Sequence, residues 1–425
     1  MKKVWLINHY ATAMFFDKAG RHYWFARQLK ERGFDVRVFC STTFLNREEK
    51  VDTGGRLYKT KKSNGIPFTF VKTTEEKGNG VKRVISWATF SFNLLRVSKA
   101  IIKKEGKPDL IIPSSVHPLT LVAGIKIAKK YKIPCICEVR DLWPEALFTL
   151  EVVKENSLAG RILSKGEHWI YKNADSLVFT KEGDTDHLKE EKWTTTQGGD
   201  IDLNKCYYIN NGIDLLDYEK RIDINKFDDE DIKDQSTFKV IYAGTIRPTN
   251  NVGRIVDAAK IIQEKKEYSN IKFLIFGAGL ELESLKARVN AERIDNVVFK
   301  GNVDRKYIPY ILSRSSVNLL NYSQEKYNWS RGNSSNKLFE YMASGKPVIS
   351  TVRMGYSIVN KYNCGVELTE DTSEKLAEEV LRFYNMSGEE RNQIGENAKL
   401  GARDFDFKVL TDKLIDVINN VLENR

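Results

Sequence analysis

Short apolar runs, rich in β-branched and aromatic residues, alternate along the chain with longer stretches in which apolar residues recur every three or four positions. The short runs predict strands at 4–8, 35–40, 68–72, 109–113, 135–139, 176–180 and 206–210, and a second series at 238–243, 271–276, 297–300, 317–320, 348–351 and 366–368. Several are continuously apolar, as parallel strands buried on both faces must be. Strand–helix alternation predicts right-handed βαβ units and therefore α/β architecture, with two Rossmann-like, doubly wound parallel sheets. A polar, acidic stretch at 223–236 separates the two series and reads as the linker. The expected domains are 1–220 and 221–404, with a final helical segment at 405–425.

One segment stands apart. Residues 81–104 are apolar at 81, 84, 85, 88, 92 and 95, with lysines and arginines at the ends and Trp87, Phe90 and Phe92 among them. Such a helix fits an anionic bilayer surface and equally a buried helix of the first domain.

With 425 residues the chain exceeds one core. Hydrophobic residues make up 41% and charged residues 29%, as in a soluble globular protein, and no apolar run approaches the roughly 20 residues that span a bilayer. The first residues, Met1 to Asn8, are too short in their apolar part for a signal peptide and read as a buried strand, so a cytoplasmic location is expected. The five cysteines (40, 135, 137, 206 and 364) sit in or beside apolar runs and read as buried thiols. Histidine is scarce and no His-x-x-x-His or His-Glu-x-x-His spacing occurs, so no metal site is expected. The net charge of +11 suits a polyanion, a phosphate-bearing substrate or an anionic membrane face. No nucleic-acid-binding signature accompanies it, and nucleic acid is not expected as a partner.

The densest chemistry lies at 334–349, Ser-Ser-Asn-Lys-Leu-Phe-Glu-Tyr-Met-Ala-Ser-Gly-Lys-Pro-Val-Ile. Two serines offer an N-cap, a short helix follows, Gly345 stops it and Pro347 opens a strand. Leu338, Phe339, Met342 and Ala343 share one face, and Asn336, Lys337 and Glu340 share the other. A helix start with a carboxylate and a lysine beside it suits a nucleotide, with hydroxyls on the acid and phosphates on the helix end. A plain surface Lys–Glu pair fits the same spacing.

Further candidates occur where strands end. Residues 240–247 run from a strand into Gly244-Thr245-Ile246-Arg247, a junction suited to phosphate, with Arg247 as a charged partner. Gly277-Ala278-Gly279 is a Gly-x-Gly turn without the third glycine of a dinucleotide fingerprint. Glu138-Val139-Arg140-Asp141-Leu142-Trp143-Pro144-Glu145 places Arg140 and Asp141 just past a strand, either for substrate or as a loop-stabilising pair. His117 follows a strand, and Gly20 opens a helix after the first strand. No Gly-x-Ser-x-Gly or Walker-type loop is present.

Taken together, these blocks resemble the family 4 glycosyltransferases, which share the two-domain GT-B fold. Arg-Asp-Leu-Trp-Pro-Glu is similar to a segment of members that build bacterial surface polysaccharides, including amino-sugar transferases. The resemblance implies a retaining, metal-independent transferase of hexosyl or N-acetylhexosaminyl type. Its co-substrate would be a nucleotide-diphosphate sugar, with UDP expected, and no other cofactor. It implies that the first domain binds a saccharide or lipid-linked saccharide acceptor and the second the nucleotide, that the reaction runs in the cleft between them, and that the last helix crosses back to the first domain. Asp141 and His117 would then orient donor sugar and acceptor. Glu340 would hold the ribose, Arg247 and Lys337 the diphosphate, and Gly20, Gly244, Gly277 and Gly279 would let the backbone approach it.

Two departures from the family pattern stand out. The first of the family's two glutamates falls at Gly332, so its contact to the donor sugar passes to backbone amides or Asn333. The usual arginine and lysine after the second domain's first strand are out of register, which moves that charge to Arg247 and Lys337. A nucleotide-sugar 2-epimerase of the same fold and a non-catalytic subunit of a polysaccharide assembly complex are the alternatives.

Overall fold

The structure is a computed structural model and describes residues 1–44, 49–75, 80–115, 117–149, 151–325 and 327–423. The chain forms two compact units, Met1–Asn210 with Phe407–Arg425, and Asn211–Asp406. The division therefore falls at 210/211 rather than near 220. The acidic stretch 223–236, expected as a linker, lies inside the second unit. Its charges serve the sheet edge: Asp229 caps the helix Glu230–Lys233 and, with Asp231, receives Lys300, while Asp231 also receives Lys272.

In the first unit, β1 (Lys3–Ile7), β2 (Asp35–Ser41), β3 (Tyr58–Ser63), β4 (Ile66–Val71) and β5 (Leu110–Pro113) form a sheet in the order β3-β4-β2-β1-β5. A second sheet, β6 (Ile136–Val139), β7 (Ser176–Phe179) and β8 (Cys206–Tyr208), continues from β5 through the single bridges Ile111↔Cys135 and Ser114↔Glu138. All of these pairings are parallel except β3 with β4. One apolar layer joins the helix Arg21–Glu31 and the last helix, Phe407–Glu423, to the sheet through Phe25, Phe68, Leu410 and Leu414. The other face is covered by the helices Val81–Glu105 and Pro118–Tyr131 through Phe90, Leu94, Val97, Leu121 and Ile125.

The Val81–Glu105 helix thus buries Phe90, Leu94, Val97 and Ile101, whereas Val81, Val84, Ile85 and Phe92 face solvent. The stripe at 81, 84, 85 and 92 seen in the sequence is the outer face, and a different stripe meets the core. Among the described residues no helix is long and apolar enough to cross a membrane.

The second unit is a six-stranded, all-parallel sheet: β9 (Phe238–Ala243), β10 (Ile271–Phe276), β11 (Val297–Gly301), β12 (Val317–Leu320), β13 (Val348–Ser350) and β14 (Gly365–Glu367), in the order β11-β10-β9-β12-β13-β14. Apolar clusters lie on both faces. The chain winds outward from β9 in one direction and from β12 in the other. The topological switch point, where open parallel sheets receive ligands, therefore lies beyond the carboxyl ends of β9 and β12.

The most demanding buried group of the first unit is Glu138, at the end of β6. Its carboxylate accepts from Arg21 Nε at 2.7 Å and from Ser114 Oγ at 2.6 Å, and His22 Nε2 lies 3.2 Å away. Arg21 also donates to the carbonyls of Ile209 and Asn210. One ion pair thus ties the ends of β5, β6 and the segment after β8 to the helix Arg21–Glu31. Burial alone would raise the Glu138 pKa, but Arg21 and His22 hold it well below the usual carboxylate range. A carboxyl held low contributes stability that is full above its unfolded pKa and is lost as pH falls through the folded value. Glu138→Ala strands the Arg21 charge and is expected to cost about 3–5 kcal/mol in urea unfolding at neutral pH. A loss below about 1 kcal/mol would contradict this account.

Candidate functional site

The helix Asn336–Ala343 begins at the switch point. It buries Leu338, Phe339, Tyr341, Met342 and Ala343. Tyr341 was not expected inward, and it sets the helix position: its hydroxyl lies 3.2 Å from both the N–H and the carbonyl of Ala243, the last residue of β9. Tyr218 adds a bond to the Glu340 carbonyl at 2.9 Å. Ser335 occupies the N-cap, but its side chain caps nothing and bonds the Tyr322 hydroxyl instead. The first N–H groups of the helix therefore lack a side-chain cap, which leaves positive dipole at its start.

A cavity of about 480 Å³ lies against this helix start. Of the residues anticipated from sequence, Gly244, Gly277, Asn336, Lys337 and Glu340 line it. Glu340 Oε1 accepts from Arg305 at 3.1 Å. Arg305, with Asn302 and Val303, comes from the loop after β11, which carries no recognisable motif and was not anticipated. Lys337 is largely sequestered. Its ammonium lies 4.8 Å from the Tyr242 ring centre and 5.1 Å from that of Tyr322, and 3.2 Å from the Tyr242 hydroxyl. Burial, followed by repulsion from Arg247, pushes its pKa down to about 8.

The glycines have steric reasons. A Cβ on Gly244 would overlap the Lys337 ammonium, and one on Gly277, whose φ is +141°, would overlap the Gly244 carbonyl. Gly279 is packed in the same way against the Ile246 carbonyl and is not part of the lining. Arg247 and Asn333 also stand outside the lining. Arg247 is exposed and donates to Asn250 Oδ1 at 3.1 Å, while buried Asn333 accepts from the Ser335 N–H at 2.6 Å. Gly332, at the place of the absent glutamate, has φ +96° and ψ −162°, a conformation that L side chains rarely adopt. The backbone here would have to change before a glutamate could occupy it.

The remaining candidates belong to the first unit. Gly20 has φ +102°, directly before the helix that carries Arg21. Arg140 receives a backbone bond from Thr180 Oγ1 and donates its own N–H to Ser115 Oγ, and Asp141 is exposed just past β6. His117 departs from expectation. Its ring is wholly buried, with Nε2 3.1 Å from His9 Nδ1 and the Trp87 indole stacked on it at 4.7 Å and 13°. Burial and the neighbouring His9 lower its pKa and keep it neutral. In this arrangement the His117 ring has no exposed surface. It supports Trp87, whose Nε1 bonds the Tyr10 hydroxyl and whose ring meets Trp143 edge-on.

The sequence matches the family described as glycosyl transferase 4-like domain over residues 21–193 and that described as glycosyl transferases group 1 over residues 223–401. Solved structures share the fold. A sucrose-phosphate synthase from Thermosynechococcus elongatus superposes with TM-score 0.70 at 16% identity, with 100% of both chains covered. HepE from Anabaena in complex with UDP gives 0.66 at 13%, covering 99% of this chain and 100% of its own. Trehalose-6-phosphate from Escherichia coli, bound with UDP-2-fluoro glucose, gives 0.71 at 12%, covering 99% of each chain. No curated protein matches the chain in sequence.

Tyr341→Phe removes the hydroxyl that meets both Ala243 groups. It is expected to cost about 1–3 kcal/mol in urea unfolding. An unchanged unfolding midpoint and slope would show that the hydroxyl does not hold the helix.

Proposed function

Because the chain belongs to the family 4 glycosyltransferases of the GT-B fold, we propose that it is a retaining, metal-independent hexosyl- or N-acetylhexosaminyl-transferase. It takes its sugar from a nucleotide-diphosphate donor and passes it to a lipid-linked saccharide in cell-surface polysaccharide synthesis. The observation that carries this reading is the convergence of Glu340, Lys337, Asn336 and the Gly244 and Gly277 turns on one cavity at the switch point of the second unit. Glu340 accepts from the ribose hydroxyls. The diphosphate lies against the Gly244 and Gly277 backbone and the uncapped helix start, with Lys337 behind it and Arg305 and Arg247 at its margins. UDP is the nucleotide, in line with the UDP and UDP-sugar bound to the structural neighbours.

As the glycosidic bond breaks, negative charge grows on the departing diphosphate. Preorganised cations and N–H groups stabilise that charge without reorganising, which is where electrostatic catalysis gains most. They supply the charge that a divalent cation supplies in other transferases. Asp141, exposed at the carboxyl edge of the first unit's sheet, is the candidate for sugar hydroxyls, and His117 acts through Trp87 as a positioning residue. The exposed apolar stripe Val81, Val84, Ile85 and Phe92, with Lys82 and Arg96 on the same helix, suits peripheral contact with an anionic membrane carrying the acceptor.

Glu340→Ala is expected to raise the donor KM at least about tenfold, since a hydrogen bond to a charged group is worth roughly 1.5–3 kcal/mol. Initial rates over a UDP-sugar series measure this, and an unaltered donor KM removes Glu340 from the ribose. The low pKa of Lys337 gives a second test. The side chain is cationic below about 8 and neutral above, so UDP affinity falls as pH rises through that value, by at most about tenfold per unit. Calorimetric titrations at pH 7 to 9.5 should show this fall in the wild type and a flat, weaker profile in Lys337→Met. Parallel profiles would place the titrating group elsewhere.

A further inference from the structure

The second unit has another polar cavity, of about 370 Å³, at the opposite edge of its sheet. Lys239 is the second residue of β9, Ser316 immediately precedes β12, and Lys346 lies two residues before β13. Lys239 and Gly244 are five residues apart on an extended strand, so about 17 Å of β9 separates this cavity from the Gly244 turn. Lys233, Lys239, Arg314 and Lys346 line it, along with the hydroxyl-bearing Ser313 and Ser316.

The positive charge here is poorly offset. Lys233 pairs with Asp228. The Lys239 ammonium donates to the main-chain carbonyl of Asp234, whose carboxylate accepts from Ser236 and Thr237. Asp231 pairs with Lys272 and Lys300. Among the described residues neither Arg314 nor Lys346 has an ion pair, and the Arg314 guanidinium rests over the Tyr310 ring at 5.0 Å. Burial comes first in lowering the Lys239 and Lys346 pKa values. Asp234 and, to a smaller extent, Asp231 oppose it at Lys239. Arg314 and Lys346 add repulsion at Lys239, and Arg314 and Arg391 add it at Lys346. Like charges held together without counter-charge disfavour the folded unit, and an anion seated among them relieves that repulsion.

We propose that this cavity is a second anion site, separate from the nucleotide site, that takes a phosphate-bearing small molecule. The planar Arg314 fork and the Lys239 and Lys346 ammonium groups suit charge-assisted bonds to phosphate oxygens; Ser316, which accepts from the Lys239 N–H, keeps its hydroxyl hydrogen to donate, whereas Ser313 gives its own to the Tyr310 carbonyl. A water occupies about 30 Å³ of liquid, so the space exceeds a single orthophosphate and accommodates pyrophosphate or a phosphate monoester.

The test uses pyrophosphate as the probe in a background whose nucleotide site has lost two of its cations. In an Arg247→Ala/Lys337→Met background, titration calorimetry should still detect pyrophosphate binding. Adding Arg314→Ala/Lys346→Ala should weaken it at least about tenfold, the change that 1.4 kcal/mol represents. Both of these side chains are at least partly exposed, so the variants should keep the wild-type circular dichroism. Lys346→Gln alone, a milder change, should give an intermediate loss. Phosphate and glycerol 2-phosphate as further probes distinguish an inorganic ligand from an ester. Binding that survives Arg314→Ala/Lys346→Ala, or the absence of pyrophosphate binding in the Arg247→Ala/Lys337→Met background, would overturn the proposal. So would a binding heat reproduced by potassium chloride at matched ionic strength.

Discussion

One buried hydroxyl decides where the helix Asn336–Ala343 begins. Tyr341 meets both main-chain groups of Ala243, so the helix cannot slide along β9 without leaving two buried polar groups unsatisfied. With that register set, 3.6-residue periodicity turns Asn336, Lys337 and Glu340 toward the Gly244 turn. The glycines follow from this closeness: with Lys337 behind Gly244 and the Gly244 carbonyl against Gly277, a side chain at either position would displace what the helix has brought together. Lys337 is then a cation with its charge kept near the cavity by two aromatic faces, and Arg305 holds one oxygen of Glu340. Such preorganisation would favour departure of a diphosphate, because groups already in place need no rearrangement as charge develops.

The first unit uses a different device to the same end. Glu138 and Arg21 are both buried, and each is tolerable only because the other is present. Their pairing positions the loop that begins at Arg140 and the segment at Ile209 and Asn210. Of the first unit's candidates, His117 lies against Trp87, Arg140 is tied through its backbone to Ser115 and Thr180, and Asp141 is exposed.

Much of this was legible because parallel strands covered on both faces must be apolar throughout, as in Val240 to Ala243 or Leu110 to Ile112. The helix at 336–343 was equally plain, since its two faces differ sharply in chemistry. What escaped has physical reasons. β3, Tyr-Lys-Thr-Lys-Lys-Ser, is an edge strand with most residues exposed, so no hydrophobic alternation marks it. Arg305 acts from a loop, where position depends on the sheet rather than on local pattern. The 81–105 helix carries two apolar stripes, and sequence does not say which one the core selects. The linker was misplaced because its acidic residues resemble a solvated tether, yet they neutralise lysines of β10 and β11. The family's first glutamate is replaced at Gly332 by a backbone conformation that L side chains rarely adopt.

What Glu340 and Lys337 touch decides the proposed function. A crystal of the protein grown with UDP would test it most directly. Ribose hydroxyls are expected within hydrogen-bond distance, about 3 Å, of the Glu340 carboxylate, with the diphosphate against the Gly244 turn and the start of the 336–343 helix. UDP bound elsewhere, or seated there with its ribose turned away from Glu340, would contradict it.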